Sequence, residues 1–287
     1  MFNLQQLINN LTLEPIDDLS FSGQSLPMPL SHVFGGQVLG QSLMAASHTV
    51  DDKSRQVHSL HAYFLRAGRS DIDIIYEVDP IRDGGSFTTR RVVAKQLGEA
   101  IFSTMVSFQR YEEGLEHQNE MPANVPPPLS LKNDHQYHSE NLSHVVKRPL
   151  AGMISPTTVD IRSCLPRDPN DFSAKQPKQG FWFKFNGEIG DDPATHQALL
   201  AYISDIGLLG TGVRPHYPAL YQHTIQAASL DHALWIHCPL SVDQWIYYDM
   251  DSPRAGHGRN FNRGSFYSQQ GILLASSAQE GLVRIKK

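Results

Sequence analysis

Cysteine is almost missing from this chain of 287 residues, which has only Cys164 and Cys238. Two thiols exclude a disulfide scaffold and fit a reducing compartment. Charge is sparse and unconcentrated: charged residues make up 18%, and the formal net charge is -5 with 14 histidines counted neutral. Without a long basic run, nucleic acid is not an expected partner. Long hydrophobic runs are missing too. No apolar stretch approaches the ~20 residues that a membrane helix needs, so no membrane partner is expected. The N-terminal MFNLQQLINNLTLEPIDD lacks the basic start and apolar run of a signal peptide. The final Arg284-Ile285-Lys286-Lys287 is not a recognised sorting tail. These absences together make a cytoplasmic location the expectation.

Several chemical signatures are also absent. There is no G-x-S-x-G elbow, which argues against an α/β-hydrolase. GLLGTG, Gly207 to Gly212, has the wrong glycine order for a dinucleotide loop and follows a helix rather than a strand. The pairs His58/His61, His135/His138 and His232/His237 show no coherent zinc-ligand pattern, so neither a metal nor a cofactor is expected.

What is present is enough to build a core, since hydrophobic residues make up 40%. Residues 113–150 differ from the rest, with Pro122, Pro126-Pro127-Pro128 and Pro149 set among polar residues. Three consecutive prolines fit neither a helix nor a central strand, so this stretch reads as an interdomain linker. It separates residues 1–112 from residues 151–287, each within the usual domain size.

The two parts repeat one order of elements. In the first, the helix candidate GGQVLGQSLMAASHTV (Gly35 to Val50) precedes the strand candidates VHSLHAYFLRAG, IDIIYEVDPIRDG, SFTTRRVVAKQ and EAIFSTMVSFQ. In the second, FWFKFNG and the helix candidate ATHQALLAYISDI precede ASLDHALWIH, QWIYYDMDSPRAG, RGSFYSQQ and ILLASSAQEG. A helix followed by antiparallel strands, twice over, is α+β. Both helices are poor in charge on every side, as expected of a helix wrapped by sheet. The expected architecture is a double hotdog: two long helices, each wrapped by a curved antiparallel sheet.

Aligning one copy on the other isolates polar intrusions. Gly98 matches Gly271, which sets Val106 opposite Gln279 and the apolar face Phe102, Thr104, Val106, Phe108 opposite Ala275, Ser277, Gln279, Gly281. Bulk is lost and an amide gained, as where a wall opens toward water or a ligand. Gln37 matches Gln197, which sets Ala45 opposite Asp205, a carboxylate at the negative end of its helix. LHAYF matches LDHALW, with His61 on His232, which sets His58 opposite Ser229.

SHVFGGQVLGQSL, VHSLHAYFLRAG, FWFKF, LAYISD, LDHALWIH and RGSFYSQQGILLASSAQEG, with the overall length, resemble the acyl-CoA thioesterase II family over essentially the whole chain except the linker. The resemblance implies hydrolysis of fatty acyl-CoA, and a homodimer or homotetramer. In that family an Asp, a Thr or Ser, and a Gln hold the attacking water; by motif match these are Asp205 in AYISD, Ser229 in ASLDH and Gln279 in SAQEG. Many bacterial members carry Thr where this chain has Ser229, so the hydroxyl is kept and a methyl lost.

In that reading Asp205 is the general base, while Ser229 and Gln279 hold the water. A backbone N–H near a helix start serves the oxyanion. A serine acyl-enzyme would need a base beside Ser229, and strand alternation points His232 to the opposite face. Plainer readings stand beside these: a solvated helix-end carboxylate for Asp205, a ladder-edge amide for Gln279, an ordinary strand serine for Ser229. His58 reads as a buried histidine bonded to its neighbours, and Gly35-Gly36 as either a phosphate cradle or close helix–sheet packing. Arg90-Arg91 and Arg259/Arg263 read as coenzyme A phosphate contacts or a solvated strand face. Two other functions remain open, a hotdog hydratase or dehydratase on acyl thioesters and a non-catalytic acyl-CoA-binding module.

Overall fold

The computed structural model describes residues 2–26, 32–141, 155–166, 168 and 171–286. Six helices and thirteen strands are formed among them. The first half holds α1 (Leu4–Leu11), β1 (Glu14–Pro15), β2 (Ser20–Gly23), α2 (Gly35–His48), β3 (Arg55–Phe64), β4 (Ile74–Asp83), β5 (Phe87–Gln96) and β6 (Glu99–Arg110). The second half holds β8 (Lys178–Phe185), α4 (Pro193–Ser204), α5 (Leu208–Thr211), α6 (Tyr217–Gln222), β9 (Ile225–Ser229), β10 (Asp231–Ile236), β11 (Ile246–Gly256), β12 (Arg259–Ser268) and β13 (Leu273–Ile285). Between them lie α3 (Asp134–Asn141) and β7 (Val159–Ser163).

The strands form one antiparallel sheet in the order β1-β2-β4-β5-β6-β3-β10-β13-β12-β11-β8-β7, with β9 beside β13. The two halves therefore share a sheet, joined where β3 pairs β10 with Leu60 opposite Leu234. This is the double hotdog. α2 and α4 are the two central helices, and every residue from Gly36 to Ala46 and from His196 to Ser204 is buried. Asp192 caps α4 by accepting from the Ala194 and Thr195 N–H groups, and Pro193 occupies the first turn, where its missing N–H costs nothing.

The helices cross antiparallel and in close contact. A β-carbon on Gly40 would lie 2.9 Å from the Ala198 carbonyl oxygen, and one on Gly36 would overlap the Tyr202 carbonyl. Gly36 and Gly40 thus serve helix-to-helix approach, whereas Gly35 meets the Phe64 ring of β3 and the Asp205 side chain, so close helix–sheet packing holds at Gly35 and not at Gly36. Because the helices run in opposite directions, the C-terminus of α4 lies against the N-terminus of α2.

The matching turns also agree in backbone, since Gly98 and Gly271 both sit at φ 80. Ala94 faces Phe102 as Phe266 faces Ala275, so Val106 and Gln279 are equivalent, as the alignment has them. The alignment of β3 on β10 is off by one residue. Leu60 pairs Val106, and the β10–β13 register carries His232 opposite Gln279, so His232 corresponds to Leu60 and not to His61. Burial agrees: Leu60 and His232 are each 1% exposed, whereas His61 is exposed. A one-residue slip moves a side chain to the other face.

The proline-rich stretch is docked on the outer face of the second half. Trp182 Nε1 donates to the Pro126 carbonyl at 2.8 Å, and the Gln118 amide donates to Gly271 at 2.8 Å. Met121, Val125 and Leu131 pack on Trp182, Tyr247 and Tyr267. Pro149 and the division between residues 150 and 151 lie outside the described residues.

Candidate active site

Asp205 is the residue that ends α4, and Gly207 follows at φ 82, the left-handed turn that lets the chain leave the helix. Ser229 ends β9, which pairs β13 with Ser229 opposite Gly281. Gln279 lies on the inward row of β13, between Ser277 and Gly281, and is fully buried. These three elements bring the side chains into direct contact. Ser229 Oγ donates to Asp205 Oδ1 at 3.2 Å, and Gln279 Nε2 donates to Ser229 Oγ at 2.5 Å.

A fourth group joins them. His232 Nδ1 lies 2.8 Å from Gln279 Oε1, and His232 Nε2 lies 2.9 Å from Ser204 Oγ. The alternation argument that turned His232 away from Ser229 fails because the strand is broken. Ser229 of β9 pairs Gly281 and Ala233 of β10 pairs Ala278, so the register on β13 shifts by one residue between them, where Leu230 N–H donates to Glu280 and its carbonyl accepts from Phe64 N–H, each at 2.9 Å. Both side chains therefore reach Gln279. Burial pushes the His232 imidazole below its ordinary value, while the Asp205 carboxylate and the Gln279 bond raise it in opposition.

The small residues of β13 do not open a wall. Ser277 and Gly264 leave room for the ring of Tyr248, which stacks on Phe266 at 3.9 Å between centroids. Its hydroxyl donates to the Ser204 carbonyl at 2.8 Å and lies 2.9 Å from Ser277 Oγ. Gly281 admits Leu209 of α5, whose Cδ1 would lie 2.8 Å from an added β-carbon. The inner face of β13 is thus filled with protein, and the opening lies on the other side of Asp205 and Ser229.

That opening is a cavity of about 890 Å³. Both halves line it: Gly35, Phe64 and Phe102 from the first, Phe181, Asp205 and Ser229 from the second. Asp134 of α3 borders it as well, from the linker region. Asp134 accepts from Ser163 N–H at 2.8 Å and from Ser163 Oγ at 2.6 Å, and burial pushes its carboxyl above the ordinary value. Gln279 and His232 do not line the cavity.

Gly35 stands at the start of α2, whose N-cap residue Phe34 supplies no side-chain cap. A β-carbon on Gly35 would lie 2.7 Å from Asp205 Oδ2. The carboxylate at the negative end of α4 therefore also faces the positive end of α2, which offsets the unfavourable dipole of its own helix. In the pseudo-equivalent site of the other half the matching positions are the buried Ala45 and Val106, so only one of the two sites carries polar groups.

The other candidates separate cleanly. His58 is half-buried, 2.8 Å from Ser107 Oγ and edge-on to Phe87, and does not border the cavity. Arg90 is buried and pairs Asp83, Arg91 pairs Asp79, Arg259 pairs Glu280 and Arg263 pairs Asp251. All four arginines are thus neutralised within the sheet. Among the described residues no three His, Cys, Asp or Glu side chains converge as a metal site. Strand alternation assigns His232 to the wrong face because no Gly or Pro marks the irregularity at Leu230.

Two family models match the chain: "Acyl-CoA thioesterase N-terminal domain" over residues 24–109 and "Acyl-CoA thioesterase" over residues 158–282. The chain is 38% identical to acyl-coenzyme A thioesterase 8 of Homo sapiens, covering 96% of this chain and 88% of that one. It is 37% identical to acyl-CoA thioesterase 2 of Haemophilus influenzae, covering 99% of each. Among solved structures, the acyl-CoA thioesterase II TesB2 of Mycobacterium marinum superposes with a TM-score of 0.80 at 38% identity, covering 98% of this chain and 99% of that one. With matches spanning both halves and a site lying between them, the chain belongs to the acyl-CoA thioesterase family of double-hotdog thioester hydrolases.

Proposed function

We propose that this protein hydrolyses fatty acyl-CoA to free fatty acid and coenzyme A by direct attack of a water held at Asp205 and Ser229. The observation that carries the reading is the line Gln279–Ser229–Asp205, whose last two members border an 890 Å³ cavity. Asp205 Oδ1 is engaged by Ser229, which leaves Oδ2, beside Gly35, to take the proton of the water. The water oxygen bonds to the thioester carbonyl carbon, and negative charge develops on the carbonyl oxygen. The N–H groups in the first turn of α2 are the donors for that charge. The C–S bond then breaks, and the thiolate leaves with a proton from Asp205.

Gln279 contributes through Ser229, because its carbonyl is taken by His232 and its amide by Ser229. A serine acyl-enzyme lacks a histidine base: the Ser229 hydroxyl donates to Asp205, and His232 reaches it through Gln279. Cavity residues from both halves form the acyl tunnel. The exposed apolar side chains Tyr63 and Met105, on neighbouring strands β3 and β6, supply a face for a homodimer or homotetramer. Two free cysteines agree with the cytoplasm.

A second reading has one observation behind it. His32, in the loop that leads into α2, borders the same cavity as Asp205, as the base of a hydratase or dehydratase would. One assay separates the readings. Incubation with palmitoyl-CoA and with crotonyl-CoA, monitoring free thiol and the enoyl absorbance, should give thiol from palmitoyl-CoA at a rate proportional to enzyme. Loss of enoyl absorbance without thiol would establish a hydratase, and binding of palmitoyl-CoA with no thiol would establish a non-catalytic module.

A further inference from the structure

His232 is 1% exposed and does not line the 890 Å³ cavity, so it lies out of reach of a substrate bound there. Both of its ring nitrogens are nevertheless committed to a line that ends at Asp205: Ser204 Oγ, His232, Gln279, Ser229, Asp205. The line has a direction, because the two ends of the Gln279 amide are not equivalent: the carbonyl only accepts and the NH2 only donates. In one setting His232 Nδ1–H donates to the Gln279 carbonyl, Gln279 donates to Ser229, and Ser229 donates to Asp205. In the reverse setting Gln279 donates to His232, its carbonyl takes the Ser229 proton, and Asp205 loses its donor.

We propose that His232 is a positioning residue that holds the line in the first setting. The proposal rests on the thioesterase reading above and extends it to a residue that never meets the substrate. Asp205, acceptor-only at the end of the line, favours the setting in which Ser229 donates to it. His232 locks that setting by carrying its proton on Nδ1. In that setting Nε2 accepts the single Ser204 hydroxyl proton, which is otherwise given to the Ala201 carbonyl 2.8 Å away. The consequence at the site is that Asp205 Oδ1 stays occupied and Oδ2 alone faces the water. Successive bonds aligned in one direction also polarise one another.

The test uses two amide replacements of similar polarity. His232→Asn puts an N–H near the position of Nδ1. His232→Gln puts its amide near Nε2, toward Ser204, and leaves the Gln279 carbonyl without a donor. Thiol release from palmitoyl-CoA should show kcat lower by about 10–100-fold in His232→Gln with KM nearly unchanged, the scale of a misplaced reacting group. His232→Asn should keep most of the turnover. In a Gln279→Ala background, adding His232→Gln should lower kcat no further, since the group it acts through is gone. Equal effects of Asn and Gln, an unchanged kcat in His232→Gln, or a full additive loss in the Gln279→Ala background would each overturn the proposal. Wild-type protein that releases no thiol would sink the thioesterase reading along with it.

Discussion

Asp205 Oδ2 lies so close to Gly35 that a β-carbon there would stand 2.7 Å from it. This approach joins the end of one central helix to the start of the other and points the carboxylate at the cavity. Gly35→Ala should therefore displace the carboxylate and lower turnover by about 10-fold or more, because a shift of an ångström at a reacting group is costly. Thiol release measured beside a thermal melt checks this: activity should fall well before stability does.

The neighbouring glycine should behave differently. Gly36 faces the Tyr202 carbonyl across the helix crossing, and backbone cannot swing aside as a side-chain tip can. Gly36→Ala should destabilise the fold by about 1–3 kcal/mol, the range for overpacking a core. A denaturant midpoint equal to that of the wild type would refute this account of the crossing.

Ser229 both accepts from Gln279 and donates to Asp205. Ser229→Ala removes both bonds and should lower kcat by on the order of 10²-fold. Ser229→Thr keeps the hydroxyl and should retain most of the turnover. Steady-state rates of the two variants decide the point, and similar losses in both would mean that the hydroxyl is not what matters.

Acid should weaken the fold through histidines buried neutral. Burial holds His232, His48, His58 and His237 below the ordinary histidine value of 6.5. Below that value the unfolded chain binds more protons than the folded one, so stability falls as pH drops. Asp83, held low by Arg90, acts in the same direction but only near and below its ordinary value of 3.8. Asp134 and Asp249, raised by burial, act in the opposite sense above that value. Between pH 7 and pH 5.5 the histidines dominate, and the thermal midpoint should fall, less steeply in His232→Asn. A midpoint that held steady or rose over this range would contradict the burial argument.

Much of the architecture could be read from residue patterns because each pattern answers a local demand. The charge-free run of α2 requires burial on all sides, and it is enclosed by sheet and by α4. The alternation Phe102, Thr104, Val106, Phe108 requires one buried face, and all four are buried. Asp205 stood out because a carboxylate at a helix C-terminus is locally unfavourable. What compensates it, the start of α2, is about 170 residues earlier in the chain and is brought near only by the helix crossing. The break at Leu230 was not legible, since pairing of β9 and β10 with different stretches of β13 creates it. His232 was misassigned to the wrong face for that reason. The bulk missing from β13 was visible, but its occupant, Tyr248, comes from β11 and could be identified only in three dimensions.

The most direct test of the account is the turnover of Asp205→Asn, which keeps the shape of the carboxylate and removes its basicity. A positioned general base is worth about 10²–10⁴ in rate. The account predicts that kcat for thiol release from palmitoyl-CoA falls by at least about 10²-fold, with the melting transition retained. Turnover within a few fold of the wild type in a folded Asp205→Asn protein would contradict it.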